Sequence, residues 1–452
     1  MYNRRARSRI SACLSDAFLA GPWSEALLID RAGQVLEPER PWFGALARET
    51  LAAYRRSPAD RPRELAAFIA LRLERMPDHP RNDPAPRVRR WLLAELAMGR
   101  RRWPVPELPS LAALASHLAL DAAELAWLAD TRGLERTVAD QKLRNYRYAW
   151  LPRQNGPPRV IERPKARLKA IQRRVLHEVL DWIPAHDAAH GFTRGRSARS
   201  NATLHTGRSV VLGLDLEDFF ASVSAGRAYG IFRTAGYPEP VAHTLTGLCT
   251  NAVPVNEWAA VPRPGTPPSI AAHHRLGRRL ATPHLPQGAP TSPALANLAA
   301  FRLDRRLAGL AAALGATYSR YADDLTLSGS RLLVDRAAGL RATIVTIARE
   351  EGFAVNERKS RLTTRAGRQR VCGVVVNDRL NVARSEYDVL KATLHNAAHH
   401  GPAGQNRTGV ADFRAHLLGR IAWVESLHPG RGEKLRRQFA GIAWDAGSGE
   451  DR

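Results

Sequence analysis

Asp215, Asp323 and Asp324 are the residues of this chain whose type and spacing suit metal-assisted phosphoryl chemistry. Asp323 and Asp324 are adjacent in Tyr321-Ala322-Asp323-Asp324, between two short runs of strand-type residues, 316–320 and 325–328. A tight turn there pushes both acids out of one end of a sheet. Alone, such a pair is ordinarily a solvated turn. Asp215 alters that reading, because it ends the apolar, branched run 209–214, the pattern of a buried strand that delivers a carboxylate at its C-terminal end. Two cations about 4 Å apart, clamping the attacking and leaving oxygens, need shared carboxylates of this kind. Mg²⁺ prefers hard oxygen donors and takes one or two carboxylates when phosphates supply the rest. The three acids are therefore expected to hold two Mg²⁺ ions.

The elements that must position these acids are also written in the sequence. The prolines and glycine of Leu285-Pro286-Gln287-Gly288-Ala289-Pro290 predict a rigid loop, and Ser292-Pro293 predicts a helix start. Leu295, Ala299, Leu303, Leu307, Leu310 and Leu314 then recur at steps of three and four, which predicts one helix ending at Gly315. The segment 150–162 reads as a hairpin with Asn155-Gly156 at its turn and with Arg153 and Arg159 on its two strands. Residues 165–176 predict a helix with a basic face, either tracking a phosphate backbone or simply solvated.

The chain has 452 residues, enough for a large core and more than one domain. Its 68 Lys and Arg against 43 Asp and Glu give +25, an excess that favours a polyanionic partner through counterion release; an Arg-rich genome would give the same bias. Cys13, Cys249 and Cys372 are too far apart in sequence for a metal motif or a disulfide framework. No apolar run approaches the roughly 18 residues that span a bilayer, and the basic start lacks a signal-type segment. A soluble, cytoplasmic protein is expected. Residues 1–104 read as mainly helical, interrupted by a linker at 78–86. Ser110 is placed to cap the first of two short helices within 111–128, either a helix-turn-helix in outline or a helical pair packing on the next domain.

With Asp215, Pro286-Gln287-Gly288 and Tyr321-Ala322-Asp323-Asp324 in this order, the chain resembles a reverse transcriptase. Two further segments look like retron-type members: Asn201-Ala202-Thr203-Leu204-His205, and Val371-Cys372-Gly373, where Cys372 stands for the family's threonine. An asparagine and a histidine at such positions could also merely cap and pack a helix. The resemblance runs from about Val105 to Trp444 and implies an α/β (α+β) right-hand polymerase fold with fingers, palm and thumb behind a mainly helical N-terminal region. The corresponding segments are 1–104, 105–365, 366–446 with thumb and RNA recognition, and a tail 447–452.

The same resemblance implies an RNA-directed DNA polymerase that copies a structured noncoding RNA (msr-msd) into branched RNA-DNA (msDNA), with a partner effector and an antiphage role. It implies that Arg153, Arg159 and Gln287 meet the incoming dNTP and that Phe220 excludes a 2′-hydroxyl. Lys359 would protonate pyrophosphate, and Asn201, His205, Val371, Cys372 and Gly373 would contact RNA. A group II intron protein, another defence-associated reverse transcriptase, or a non-catalytic RNA-binding scaffold are the alternatives.

Overall fold

A computed structural model describes residues 4–75, 85–153, 157–262 and 265–444. Residues 78–84 of the expected linker, the Asn155-Gly156 turn and the tail from 447 lie outside the described residues. The chain forms two compact units, Met1–Pro184 with Val223–Leu295, and Ala185–Ser222 with Ala296–Arg452.

In the first unit, helices Arg4–Leu19, Glu25–Val35, Trp42–Ala53 and Pro62–Arg75 bury one side each in a common core that includes Leu14, Phe18, Leu28, Leu46 and Ile69. Short strands β1 (Leu36–Glu37) and β2 (Arg87–Val88) pair beside it. Helices Leu111–Leu118 and Ala122–Leu128 form as read from the sequence. Ser110 and Asp121 cap them, and Ala119 in the left-handed region (φ 53°) separates them. Both pack on the helix Glu239–Cys249, which favours the packed pair over a DNA-reading motif. Strands β3 (Tyr146–Leu151) and β4 (Arg159–Pro164) make an antiparallel hairpin with Leu151 opposite Arg159. Arg159 begins β4 as expected, but Arg153 lies past the end of β3, because pairing stops at Leu151.

The second unit is built on a four-stranded antiparallel sheet in the order β6-β7-β5-β8, where β5 is Val210–Asp215, β6 Thr317–Tyr321, β7 Asp324–Gly329 and β8 Arg361–Thr364. Strand β5 is central, and Val210, Val211, Leu212 and Leu214 are all buried, which is why it reads as a continuous apolar run. The single helix expected over 295–314 is two, Ser292–Ala299 and Phe301–Ala313, broken at Ala300 where ψ reaches 0°. The leucine stripe continues through the break, with Leu295, Leu303 and Leu307 all buried, so the pattern alone could not reveal it. Strands β9 (Arg370–Val371) and β10 (Val374–Val375) form a small hairpin. It shares a core with helices Arg384–His400, Phe413–Leu427 and Pro429–Ala440 through Val371, Val374, Leu390, Leu394, Ile421 and Leu435. Among the described residues, no single helix is long and apolar enough to cross a membrane.

Candidate active site

The three acids meet at one end of the second unit's sheet. Asp215, the last residue of β5, lies directly opposite Asp324, the first of β7, and the Leu216 N–H donates to the Asp323 carbonyl at 2.9 Å. Tyr321 pairs with Asp324, so Ala322-Asp323 is a two-residue hairpin turn. Ala322, the first residue of the turn, sits at φ 56°, a left-handed φ that costs a non-glycine residue about 1–2 kcal/mol. The Asn356 N–H donates to the Asp215 carbonyl at 2.7 Å, and the single helical turn Glu357–Lys359 then brings the Lys359 ammonium to the Asp215 carboxylate at 3.0 and 3.1 Å. The Asp324 carboxyl is pushed up to about 6, first by desolvation, then by the like charges of Asp323 and Asp215, with Lys359 pulling it down. Asp324 keeps an exposed surface, so this desolvation comes from protein crowded around an open side chain rather than from enclosure.

The turn is held from beneath by groups that the motif does not show. Arg320 is fully buried; its Nε and Nη2 donate to Asp304 at 2.8 and 2.6 Å, and its Nη1 donates to Asn297 Oδ1 and to the Ala322 carbonyl, both at 2.9 Å. Asn297 in turn donates to the Gly191 carbonyl at 2.8 Å. Gly191 must be glycine, since a Cβ there would lie 2.5 Å from the Ala322 nitrogen. Sequence reasoning missed Asp304, Arg320, Asn297 and Gly191. The available signal was a charge on an apolar stripe, since Asp304 falls between Leu303 and Leu307 on the buried face of its helix.

Phe219 is 4% exposed and stacks on Phe353 at 5.8 Å, whereas Phe220 is half-buried and lies 6.1 Å from the exposed Phe192. In the first unit, Arg153 and Arg159 are exposed, and the Gln287 loop is fastened to β4: the Glu162 N–H donates to the Gln287 carbonyl at 2.9 Å. Glu162 is itself buried against His284 (3.0 Å) and Asn251 (2.7 Å). A Cβ at Gly288 would come within 2.6 Å of the Glu162 carbonyl oxygen, so the loop needs its glycine for close approach.

The segment 201–205 corrects an expectation. Asn201 and His205 have no exposed surface and Val371 only 2%, so direct RNA contact by these side chains gives way to packing. The His205 ring bridges Ser328 Oγ and Ser319 Oγ, both at 2.7 Å, which ties the helix Ala198–Thr203 to β6 and β7. Desolvation lowers His205 to about 3, with Arg208 and His190 adding to it. Asn201 Nδ2 lies 3.2 Å from Cys372 Sγ, and burial pushes that thiol up to about 12. Cys372 and Gly373, at φ 49° and 82°, form the two-residue turn between β9 and β10, and of this set they reach the surface.

Among the described residues, no three His, Cys, Asp or Glu side chains already converge on a metal-sized point. Asp215, Asp323 and Asp324, brought to one end of the sheet, with Asp324 raised first by desolvation and then by the charges of the other two, nonetheless have the donor chemistry that suits a hard divalent cation. In this arrangement the Lys359 ammonium holds Asp215.

A family model described as reverse transcriptase (RNA-dependent DNA polymerase) matches residues 151–392. The retron Mx65 reverse transcriptase of Myxococcus xanthus is 43% identical over 298 residues, covering 66% of this chain and 65% of that protein. The retron Mx162 reverse transcriptase of the same organism is 35% identical over 348 residues, 74% of this chain and 67% of the relative. The chain thus matches about two thirds of the length of these relatives. Among solved structures, telomerase from Candida albicans in complex with a telomeric RNA fragment covers 65% of this chain and 56% of its own, at 10% identity and a TM-score of 0.33, a likeness too distant to argue from. By the family match and these relatives, the chain belongs to the reverse transcriptases and is of the retron type.

Proposed function

We propose that this chain is an RNA-directed DNA polymerase that copies a structured noncoding RNA (msr-msd) into DNA, starting from a guanosine 2′-hydroxyl so that RNA and DNA stay joined by a 2′,5′ branch. One observation carries the reading: inside the segment matched to the family, Asp215 and Asp324 lie opposite each other in register beside Asp323, at one end of an antiparallel sheet.

Asp215, Asp323 and Asp324 would hold two Mg²⁺ ions, which when bound activate the attacking hydroxyl and offset the charge of the departing pyrophosphate. The chain's own residues do the rest. Lys359, tethered to Asp215, neutralises that carboxylate before substrate arrives and then supplies a proton to pyrophosphate. Phe220, freed from core duty by the buried Phe219, lies under the sugar and excludes a 2′-hydroxyl. Arg153 and Arg159 neutralise the incoming triphosphate, and Gln287, fastened to the same hairpin, orients the dNTP or template. Strands β5–β8 form the palm. The hairpin at Cys372-Gly373 and the helices beyond it form a thumb that recognises the RNA, with Asn201 supporting Cys372 and His205 holding the same segment on β6 and β7. An effector protein and a role in antiphage defence complete the retron reading.

The test is the product. Small DNA isolated from cells carrying the locus should shift in mobility after RNase and again after debranching enzyme. Only linear DNA from the intact locus would move the reading to an intron-type or other reverse transcriptase.

A further inference from the structure

The N-terminal helices, remote in sequence from every residue assigned so far, carry a cleft of about 550 Å³ where helix Trp42–Ala53 ends and helix Pro62–Arg75 begins. Backbone hydrogen bonds shape the loop at its floor. The Tyr54 N–H closes the first helix on the Thr50 carbonyl at 3.0 Å, Pro58 is buried, and the Arg61 N–H donates to the Pro58 carbonyl at 2.7 Å. Two aromatic rings line it: Tyr54 and Phe68, edge to face at 5.5 Å and each only half-buried. Arg61 lies over the Tyr54 ring at 5.8 Å and is already paired with Glu64 at 3.1 Å. Arg55 and Arg56 are different. Both are exposed, and neither has a hydrogen-bond or ion-pair partner among the described residues.

Two unneutralised guanidinium groups beside two aromatic rings are complementary to a planar base flanked by phosphates. A duplex keeps its bases stacked inside and offers such a cleft phosphates only, whereas an unpaired nucleotide offers both. We propose that this cleft binds an unpaired nucleotide of single-stranded RNA, its base against Tyr54 and Phe68 and its flanking phosphates on Arg55 and Arg56. The inference rests on the reading that the protein handles RNA, and it gives the N-terminal region a role in holding the RNA rather than in chemistry.

The experiment measures binding of a fluorescein-labelled 12-mer of uridylate, and of a duplex RNA with the same number of phosphates, to the full chain and to the double variant Arg55→Glu/Arg56→Glu at several salt concentrations. Both arginines are exposed, so the fold should survive; circular dichroism checks this. Single-strand affinity should fall about tenfold or more, and the slope of log affinity against log salt should become shallower by about 1.4, the contribution of two phosphates. Duplex affinity should change by less than about threefold. A second variant, Tyr54→Leu, should weaken the single strand about fivefold with the slope unchanged, because a ring carries no charge. Crosslinking with 4-thiouridine RNA should map to residues 53–68.

Unchanged affinity and slope in the double variant would overturn the proposal. So would an equal loss on duplex, which is a general charge effect, or displacement of the 12-mer by uridine monophosphate at comparable concentration, which marks a mononucleotide site. Primer extension by the wild-type chain is measured alongside. Binding of the predicted kind without extension supports the cleft and removes the polymerase reading, so the two fail separately.

Discussion

Arg320 joins three neighbours through one guanidinium: the Asp304 carboxylate, the Asn297 side chain and the carbonyl of Ala322 in the acidic turn. Methionine at this position would fill most of the space but leave Asp304 buried without its counter-charge, a loss of about 3–5 kcal/mol. Urea unfolding of Arg320→Met should show a decrease of that order; a decrease below about 1 kcal/mol would mean that water reaches Asp304 and that the pair does not anchor the turn. Phe220 makes the opposite kind of prediction, one of specificity rather than stability. In Phe220→Ala, incorporation of ribonucleotide relative to deoxynucleotide should rise at least tenfold, an effect worth roughly 1.4 kcal/mol at the transition state. Unchanged discrimination in a folded variant would make Phe220 a packing residue. At this scale the acids were legible because a strand end and a two-residue turn have strong local signatures. Arg320 and Asp304 were not, because they meet only once the helix Phe301–Ala313 packs on β6, and Gly191 was not, because the backbone it approaches is more than 100 residues away.

Strand β5 and the β6-β7 hairpin were readable as elements, since period and turn chemistry agree there. The helix over 295–314 was not readable as two, because its buried stripe runs through the break at Ala300. The helix Ala198–Thr203 shows a different limit: asparagine and histidine look like ligand-binding residues in a string of letters, yet here they are the polar groups that dock a helix on a sheet. His205 then makes the fold acid-sensitive. Its value in the folded protein is lowered to about 3 against an ordinary 6.5, so below about pH 6.5 the unfolded chain takes up a proton that the folded chain does not. The contribution is fully present above pH 6.5 and is lost as pH falls toward 3. Between pH 7 and pH 5 it amounts to about 2 kcal/mol. Wild type should lose that much more stability over this interval than His205→Asn, which is weaker at pH 7 but has no group to titrate. Parallel urea midpoints for the two proteins would show that His205 is charged or hydrated in the folded state.

For the molecule as a whole, the +25 charge, the family match over 151–392 and the placement of the acids at one end of a single sheet all bear on the same reading. Charge gives affinity for any phosphate backbone; it is the acids that separate a polymerase from a scaffold that merely holds RNA. Losing one acid removes electrostatic stabilisation that acts only as the phosphate reacts, worth about a hundredfold or more in rate, while the surfaces that grip RNA stay intact. The most direct measurement is primer extension on an RNA template with dNTPs and Mg²⁺, run for the wild-type chain and for Asp323→Asn together with their RNA affinities. A catalytic role for the acids predicts DNA synthesis by the wild type, a loss of about a hundredfold or more in the variant, and RNA affinities within about twofold of each other. Synthesis by Asp323→Asn at the wild-type rate, or none by the folded, RNA-binding wild type, would contradict it.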